Sequence, residues 1–350
     1  MNLRIDKKKT VVALTGVLVL VLTACGGNSG GAEATGGPDD APAKIIIAAG
    51  GTQAVAPWAQ HLTARGQGLF DDVEKKFGID IEFLDIDAGS SIASLTSGNI
   101  DLLISSAPSF AAARAEGVDL TAVAELGSGQ NIALVGSARH EAEFGNDLSK
   151  YANSTWGYTA PGSSSEVVAI GAAKTVGLNW DNLDKVAFGK LSAALPGLES
   201  GRLDLVSVDV GTAGVAVSDG AGYVVYNSNT DAPKKVIGTM LITTPKFAEN
   251  YPGLTQAIVD VYLEGMKRVQ AHSDDPNTVL AQFPPEYQKL MANGFDHAWK
   301  LTEPGTKGDG IFTETAIDST LQYLSSNGFF NEKDSATVKS GFDNSFVEAS

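Results

Sequence analysis

The sequence predicts an α/β protein of two lobes, each built on a parallel-type sheet, followed by C-terminal helices. Three observations lead there. The chain has 350 residues, enough for about two domains. Short apolar runs alternate with helical stretches along most of it, the pattern of strands joined by crossover helices. And "SLTSGNIDLLISSAPS" (Ser94–Ser109) is echoed by "GLESGRLDLVSVDVGT" (Gly197–Thr212). Leu95, Ser97, Gly98, Asp101 and Leu102 fall in register with Leu198, Ser200, Gly201, Asp204 and Leu205.

The first residues stand apart from this pattern. Arg4 and Lys7 to Lys9 precede "VVALTGVLVLVL" (Val11–Leu22). That apolar run is too short for a spanning helix and has the size of a signal-peptide core. It ends in "LTAC", and Cys25 is the only cysteine of the chain, so no intramolecular disulfide can form. Residues 1–24 read as a signal peptide. Residues 25–43, "CGGNSGGAEATGGPDDAPA", lack apolar periodicity and read as a flexible tether with a reach of ~20–25 Å.

From Lys44 the elements follow in order. "KIIIAAGG" is a continuous apolar run closed by glycines, as expected of a strand buried on both faces. A helical stretch starts near Pro57, whose missing N–H costs nothing in a first turn, and continues through "LFDDVEKKFG". Strand "IDIEFLDI" (Ile79–Ile86), helix "SSIASLTSG", strand "IDLLISS", helix "SFAAARAEG" and strand "LTAVAEL" complete a first series. A second runs from "NIALVGS" through "STWGYT" (Ser154–Thr159), "SSEVVAIGAAKTVG", "DKVAFG", "LSAALPGLESG" and "LDLVSV" to "GYVVY" (Gly222–Tyr226). "KVIGTMLITT" then reads as a strand returning to the first series. Beyond Pro245 the chain is mainly helical; "LTQAIVDVYLEGMKRVQAHS" repeats its apolar positions at three and four residues, the mark of one buried face.

The two copies of the echo join a helix end to a strand. Gly98 and Gly201 suit the left-handed residue that stops a helix, and Asp101 and Asp204 stand where the strands begin. Structural punctuation explains both pairs. The strands' other ends, "SSAPS" (Ser105–Ser109) and "VDVGT" (Val208–Thr212), are where ligands gather in open α/β sheets. Two such rims facing one another make a cleft.

Composition narrows the partner. The formal charge is -16, against a general nucleic-acid binder, which needs a Lys/Arg excess to neutralise phosphates. The four histidines, His61, His140, His272 and His297, are scattered through the sequence. Outside the tether there is no HExxH, GxSxG or CxxC motif to suggest a metal centre or an activated nucleophile. No cofactor or metal is expected, and an enzyme is the weaker reading.

Lipobox, tether and paired "SG-x-[IL]-DL" segments together resemble the solute-binding lipoproteins of ABC importers. More narrowly, the chain is similar to their nitrate/sulfonate/taurine group, NMT1-like or SsuA-like. "GYTAPGSSSEVVA" (Gly157–Ala169) resembles that group's strand–turn–helix in the second lobe, and "GTMLITTPKFAENYPGL" (Gly238–Leu254) its return strand and following helix start. The resemblance spans about Lys44 to Val347. It implies a type II periplasmic-binding-protein fold: two Rossmann-like lobes joined by a two-crossing hinge, closing on a small polar solute. Residues 44–129 and 230–350 would form lobe 1 with the C-terminal helices, and 130–229 lobe 2, with crossings near Gly127–Asn131 and Tyr226–Lys235. It further implies lipidation of Cys25, anchorage to the outer face of the cell membrane or in the periplasm, and delivery to an ABC permease and ATPase complex.

Carried over position by position, the ligand-binding candidates are Thr52, Gln53, Trp58, Ser90, Ser91 and Ser106 from the first lobe. Ser163, Ser164, Ser165 and Asp209 face them from the second. Serines at helix starts offer N–H groups and a favourable dipole to polar or anionic groups, and also serve as plain caps. Ser163 and Glu166 form an S-x-x-E capping box. With Asp209, Glu166 brings negative charge to the rim, while Arg114 and Arg202 sit at helix ends away from it. The expected solute is a sulfonate, taurine or nitrate, or equally an amine, a zwitterion or a heterocycle such as a thiamine precursor. A ligand-sensing lipoprotein is the alternative, and a pyrimidine-synthase-like enzyme the more distant one.

Overall fold

The computed structural model describes residues 41–50, 56–86, 88–189, 193–231 and 236–350. The signal segment, the tether, Cys25, Thr52 and Gln53 lie outside the described residues.

The first series gives β1 (Lys44–Gly50), a 3-10 turn (Ala56–Trp58), α1 (Ala59–Gly66), α2 (Asp71–Phe77), β2 (Asp80–Ile86) and α3 (Ala88–Thr96). After these come β3 (Leu102–Ser106), α4 (Ala107–Ala115) and β4 (Thr121–Ser128). The single helix expected after Pro57 is thus divided. The chain turns at Gly68, whose φ of 65° lies where glycine alone is unstrained. The second series gives β5 (Ile132–Ser137), α5 (Glu141–Phe144), β6 (Thr155–Tyr158), α6 (Ser164–Thr175), β7 (Asp184–Ala187) and α7 (Ala194–Glu199). It closes with β8 (Leu205–Asp209), α8 (Val210–Ser218) and β9 (Gly222–Asn227). After β10 (Ile237–Thr243) come α9 (Pro245–Asn250), α10 (Pro252–Ala271), α11 (Pro276–Ala281), α12 (Pro285–Leu290) and α13 (Phe295–Thr302). A 3-10 turn (Glu303–Gly305), α14 (Glu314–Ser326), α15 (Ser335–Lys339) and α16 (Ser345–Glu348) complete the chain.

The strands form two five-stranded sheets, ordered β2-β1-β3-β10-β4 and β7-β6-β8-β5-β9. The orders are the same, and the echoed segments β3 and β8 hold the same central place. Neither sheet is wholly parallel, a departure from the simplest sequence expectation. β10 runs antiparallel to β3 and β4, and β5 antiparallel to β8 and β9. Each is the strand the chain makes immediately after passing between the sheets, so it enters from the opposite end. Both are fully buried, as inner strands with covered faces should be. The edge strand β7 is the exposed one, and carries Asp184 and Lys185, charges that discourage edge-to-edge pairing.

Two apolar clusters cover the faces of the first sheet. One joins Ile45, Ile47 and Leu241 to Tyr262, Phe295 and Trp299; the other joins Leu103, Phe110 and Met240 to Ile317 and Leu321. The second sheet has its own pair, around Trp156 and Trp180 and around Val206, Val208 and Ala213. Each fully buried large side chain contributes roughly 1.5–3 kcal/mol. Val167 of α6 belongs to the cluster of the first sheet, so α6 reaches across between the sheets.

The echo has a definite physical role. Gly98 and Gly201 have φ of 74° and 76° and stop their helices as expected. The Asp101 carboxylate accepts the backbone N–H of Ile46 at 2.8 Å, and that of Asp204 accepts Thr155 N–H at 2.8 Å. Each aspartate therefore fixes the start of the neighbouring parallel strand, β1 or β6. Asp204 also meets Arg139 and, at 2.9 Å, His140.

Candidate functional site

The carboxyl ends of β3 and β8 run directly into a helix and that of β6 reaches one after the loop 159–163, and each helix start is capped by a residue singled out in the sequence. Ser106 caps α4: its Oγ accepts Ser109 N–H at 3.5 Å and lies 3.1 Å from Ser109 Oγ. Ser163 caps α6, accepting Glu166 N–H at 3.3 Å. Asp209 caps α8, accepting Thr212 N–H at 2.9 Å and the Thr212 hydroxyl at 2.7 Å. Ser106 and Asp209 thus hold equivalent places, as their positions in the echo imply. Such caps leave the remaining first-turn N–H groups pointing out of the helix.

The capping box of α6 forms with a shift. Glu166 Oε2 accepts the N–H of Gly162, at 2.6 Å, rather than that of Ser163 itself. Ser165 is 2% exposed and is consumed by the loop: its Oγ accepts Thr159 N–H at 3.0 Å and sits 2.7 Å from Thr159 Oγ1. Its carbonyl accepts the Ser207 hydroxyl at 2.7 Å. Ser165 therefore shapes the turn. Ser164 is half-buried in the first turn of α6.

On the first sheet, Ser90 and Ser91 lie within the first turn of α3 rather than opening it, because that helix begins at Ala88. Ser90 is exposed and its carbonyl accepts the Ser94 hydroxyl at 3.0 Å. Ser91 is 2% exposed and packs against Gly50 at the end of β1. Trp58 is 9% exposed and part of the first apolar cluster. It ends the 3-10 turn, which touches α8, while α4 touches α6. Trp58 and the helix that Ser106 caps therefore lie beside helices of the second sheet, while α3, with Ser90 and Ser91, packs on β1, β3 and α4.

Asp209 is neither a solvated loop residue nor a free rim charge. It is 6% exposed, and burial pushes its carboxyl above the usual carboxylate range, with the bonds to Thr212 and nearby backbone N–H groups opposing. Both oxygens already serve α8. The arginines fall where the sequence placed them. Arg114 holds Asp119, Thr337 O and Ser340, and Arg202 follows α7. The histidines also lie elsewhere. His61 is buried against Tyr262, His140 pairs with Asp204, His272 ends α10, and His297 lies on α13.

The chain passes between the sheets at 129–131, between β4 and β5, and again between β9 and β10. Here sequence reasoning missed a set of residues. Asn131 has φ 52°, a left-handed conformation asparagine tolerates better than other side chains. Its Oδ1 accepts Asn229 Nδ2 at 2.9 Å, and its N–H donates to Asn229 Oδ1 at 3.1 Å. Gln130 is buried and donates to Ile237 O at 3.1 Å, while its Oε1 has no partner among the described residues. Asn131 two residues after Gly129 was the available signal, since both residue types tolerate positive φ.

Comparison with known proteins agrees with this architecture. The model of the NMT1/THI5-like family matches residues 58–275, more than half of the chain. No curated protein matches. Among solved structures, a protein from Bordetella bronchiseptica RB50 is similar with a TM-score of 0.72 and 20% identity, over 88% of this chain and 96% of that one. The alkanesulfonate-binding protein SsuA from Xanthomonas axonopodis pv. citri, bound to MOPS, gives 0.65 at 14% identity, over 87% and 99%. The periplasmic nitrate-binding protein NrtA from Synechocystis PCC 6803 gives 0.68 at 12% identity, over 88% of each chain. At these identities the likeness is one of fold, that of the periplasmic binding proteins. By the extent of its family match, the chain belongs to the NMT1/THI5-like family.

Proposed function

We propose that the protein is the extracytoplasmic solute-binding component of an ABC importer, anchored by lipid on Cys25, and that it binds rather than transforms its solute. The observation that carries this reading is that two sheets of identical strand order each end strands in capped helices, those of α4, α6 and α8, with α4 in contact with α6 and the Ala56–Trp58 turn in contact with α8. That arrangement offers first-turn N–H groups and hydroxyls to one small polar molecule from both sides. Solved relatives of the same fold bind an alkanesulfonate and nitrate, which supports a small polar solute here. Lobe 1 would comprise 44–129 and 230–350, and lobe 2 130–229, with Ser106 and Ser164 in contact with the solute. A permease and ATPase would receive it.

The chain from Gly26 onward, unfolded thermally against a panel of solutes, tests this. The panel holds taurine, alkanesulfonates, nitrate, bicarbonate, polyamines, choline-like amines, thiamine pyrimidines and riboflavin. A ligand at 100 times its Kd should add ~2.7 kcal/mol of stability. Ser164→Ala should cut that gain while leaving the ligand-free midpoint unchanged. A panel in which nothing shifts the midpoint would count against solute capture. Mass spectrometry of the membrane-extracted protein tests the anchor, which a diacylglyceryl group on Cys25 would establish and an unmodified cysteine refute.

A further inference from the structure

The C-terminal helices do more than finish the first lobe. α13 lies against α8 of the second sheet at a crossing with no room for side chains. A Cβ on Gly214 would sit 2.6 Å from Ala298 N, and one on Gly294 2.8 Å from Val215 N. Polar contacts flank that crossing: Ser218 Oγ donates to Asn293 Oδ1 at 2.5 Å, and Asn293 Nδ2 to Asp219 Oδ1 at 2.7 Å. Its other face is bound to the first sheet's side. Phe295 and Trp299 enter the cluster of Ile45 and Tyr262, and Trp299 Nε1 donates to Ser273 O at 2.7 Å.

α14 does the same on the opposite face. Ile317, Leu321 and Leu324 pack with the first sheet, and Thr320 Oγ1 accepts Ile237 N–H at 2.9 Å. Toward the second sheet, Val167, Gly171 and Lys174 of α6 stand three and four residues apart, on one helix face. Val167 joins the cluster of Leu321, and a Cβ on Gly171 would lie 2.7 Å from the Tyr323 hydroxyl. Lys174 Nζ donates to Ser326 O and Asn327 Oδ1, both at 2.8 Å. The turn between the two helices rests on the first crossing, where Ser128 Oγ donates to Gly305 O at 3.4 Å. Asn227 and Asn229 reach Leu301 O from the second crossing, at 3.3 and 2.8 Å.

We propose that α13, the Glu303–Gly305 turn and α14 form a clasp over the hinge, its two arms gripping α8 and α6, so that the lobes part only when both arms let go. The arms are rooted in the first lobe by large apolar side chains and meet the second through glycine-bearing helix faces. At Gly214 and Gly294 backbone meets backbone, so that crossing can break and remake without unlocking a large side chain; the other arm parts only as Tyr323 lifts off Gly171 and Val167 leaves the cluster of Leu321. Exposed bonds from Lys174 and Asn293 hold them shut. The contacts at Leu301 and Gly305 lie at the pivot, where displacement is smallest.

Because Cys25 is the only cysteine, the chain from Gly26 onward accepts engineered cysteines without interference. Four ligand-free samples are compared by small-angle scattering and by hydrogen exchange of the peptides around Ser106 and Ser163. They are the parent, the K174A/N293A variant, and chains stapled by an S218C/N293C disulfide or by a short bismaleimide across K174C/N327C. The clasp requires a larger radius of gyration and faster rim exchange in K174A/N293A. Each staple should give slower exchange than the parent, reversed for the disulfide by reduction. Equal scattering and exchange in all samples would overturn it, as would a stapled chain that still opens. The staples stand even where the double variant fails to fold, and because no solute is used, the result is independent of the solute panel.

Discussion

Replacing the two echoed aspartates by asparagine separates their energetics. Asp101→Asn and Asp204→Asn both keep an oxygen that can accept the backbone N–H now bound at 2.8 Å, so shape is preserved and only charge is lost. Burial holds the Asp101 carboxyl above its ordinary 3.8, against the opposing bond from Ile46. Burial pushes Asp204 up as well, but Thr155 N–H, His140 and Arg139 outweigh it and the carboxyl ends below 3.8. Bonds to charged groups contribute about 1.5–3 kcal/mol each when shielded. The Arg139 side chain is 38% exposed, which discounts its part heavily. Loss of the Asp204 charge should therefore cost ~2 kcal/mol, a fall of ~4 °C in Tm at about 2 °C per kcal/mol. Asp101→Asn should be neutral or slightly stabilising at pH 7, since a raised carboxyl pKa means the charge is a net burden in the folded state. The sign with pH follows: stability from Asp204 is present above 3.8 and lost as pH falls through its lower folded value. The gap between parent and Asp204→Asn should thus be level from pH 7 to 5 and close below about 3.8. Thermal unfolding by circular dichroism across that range reads it. Equal costs for the two substitutions, or a gap unchanged at pH 3, would refute the reasoning.

Other outcomes follow from the same structure. Gly98→Ala and Gly201→Ala each place a Cβ at positive φ, costing roughly 1–2 kcal/mol. In urea titrations Gly201→Ala should cost more, because its Cβ would meet the Arg139 guanidinium while Gly98 faces open space. His61, buried against Tyr262 and lowered to about 3 by burial and then by Arg65, stays neutral in the fold while the unfolded chain takes up a proton below about 6.5. Stability should decline as pH falls from 6.5, by up to about 1.4 kcal/mol per unit from this residue; His61→Gln should flatten that decline in pH-dependent urea titrations. Asp209→Ala leaves the first turn of α8 uncapped and should cost about 0.5–2 kcal/mol. Asp209→Asn, read in the same melts, should recover most of that loss.

Much of the architecture was legible because it rests on local chemistry. Gly98 and Gly201 stop helices for want of a Cβ, Ser163 and Glu166 announce a helix start, and unbroken apolar runs mark buried strands. The antiparallel placement of β5 and β10 was not, since periodicity records burial and not direction. The site was read less fully. Ser106 and Asp209 occupy the equivalent places that the echo implied, yet the sequence gives no sign that Asp209 is buried with both oxygens engaged, or that Ser165 turns inward to Thr159. Those are consequences of how a loop closes on itself. The Asn131–Asn229 pair joins positions 98 residues apart, and no local pattern encodes such a meeting.

The shared strand order has a consequence for how the chain assembles. β5 to β9 come from one continuous stretch, residues 132–227, so that sheet can close on contacts of modest sequence separation. The other sheet cannot. Its β3 and β4 each lack a neighbour until β10, made more than a hundred residues after β4, slides between them, and closing so long a loop is slow. For that interval β3 and β4 carry unpaired edges, which invite pairing with other chains. A fragment ending at Asp231 should accordingly hold a folded second sheet and an aggregation-prone first one, and limited proteolysis of the two halves would show the difference.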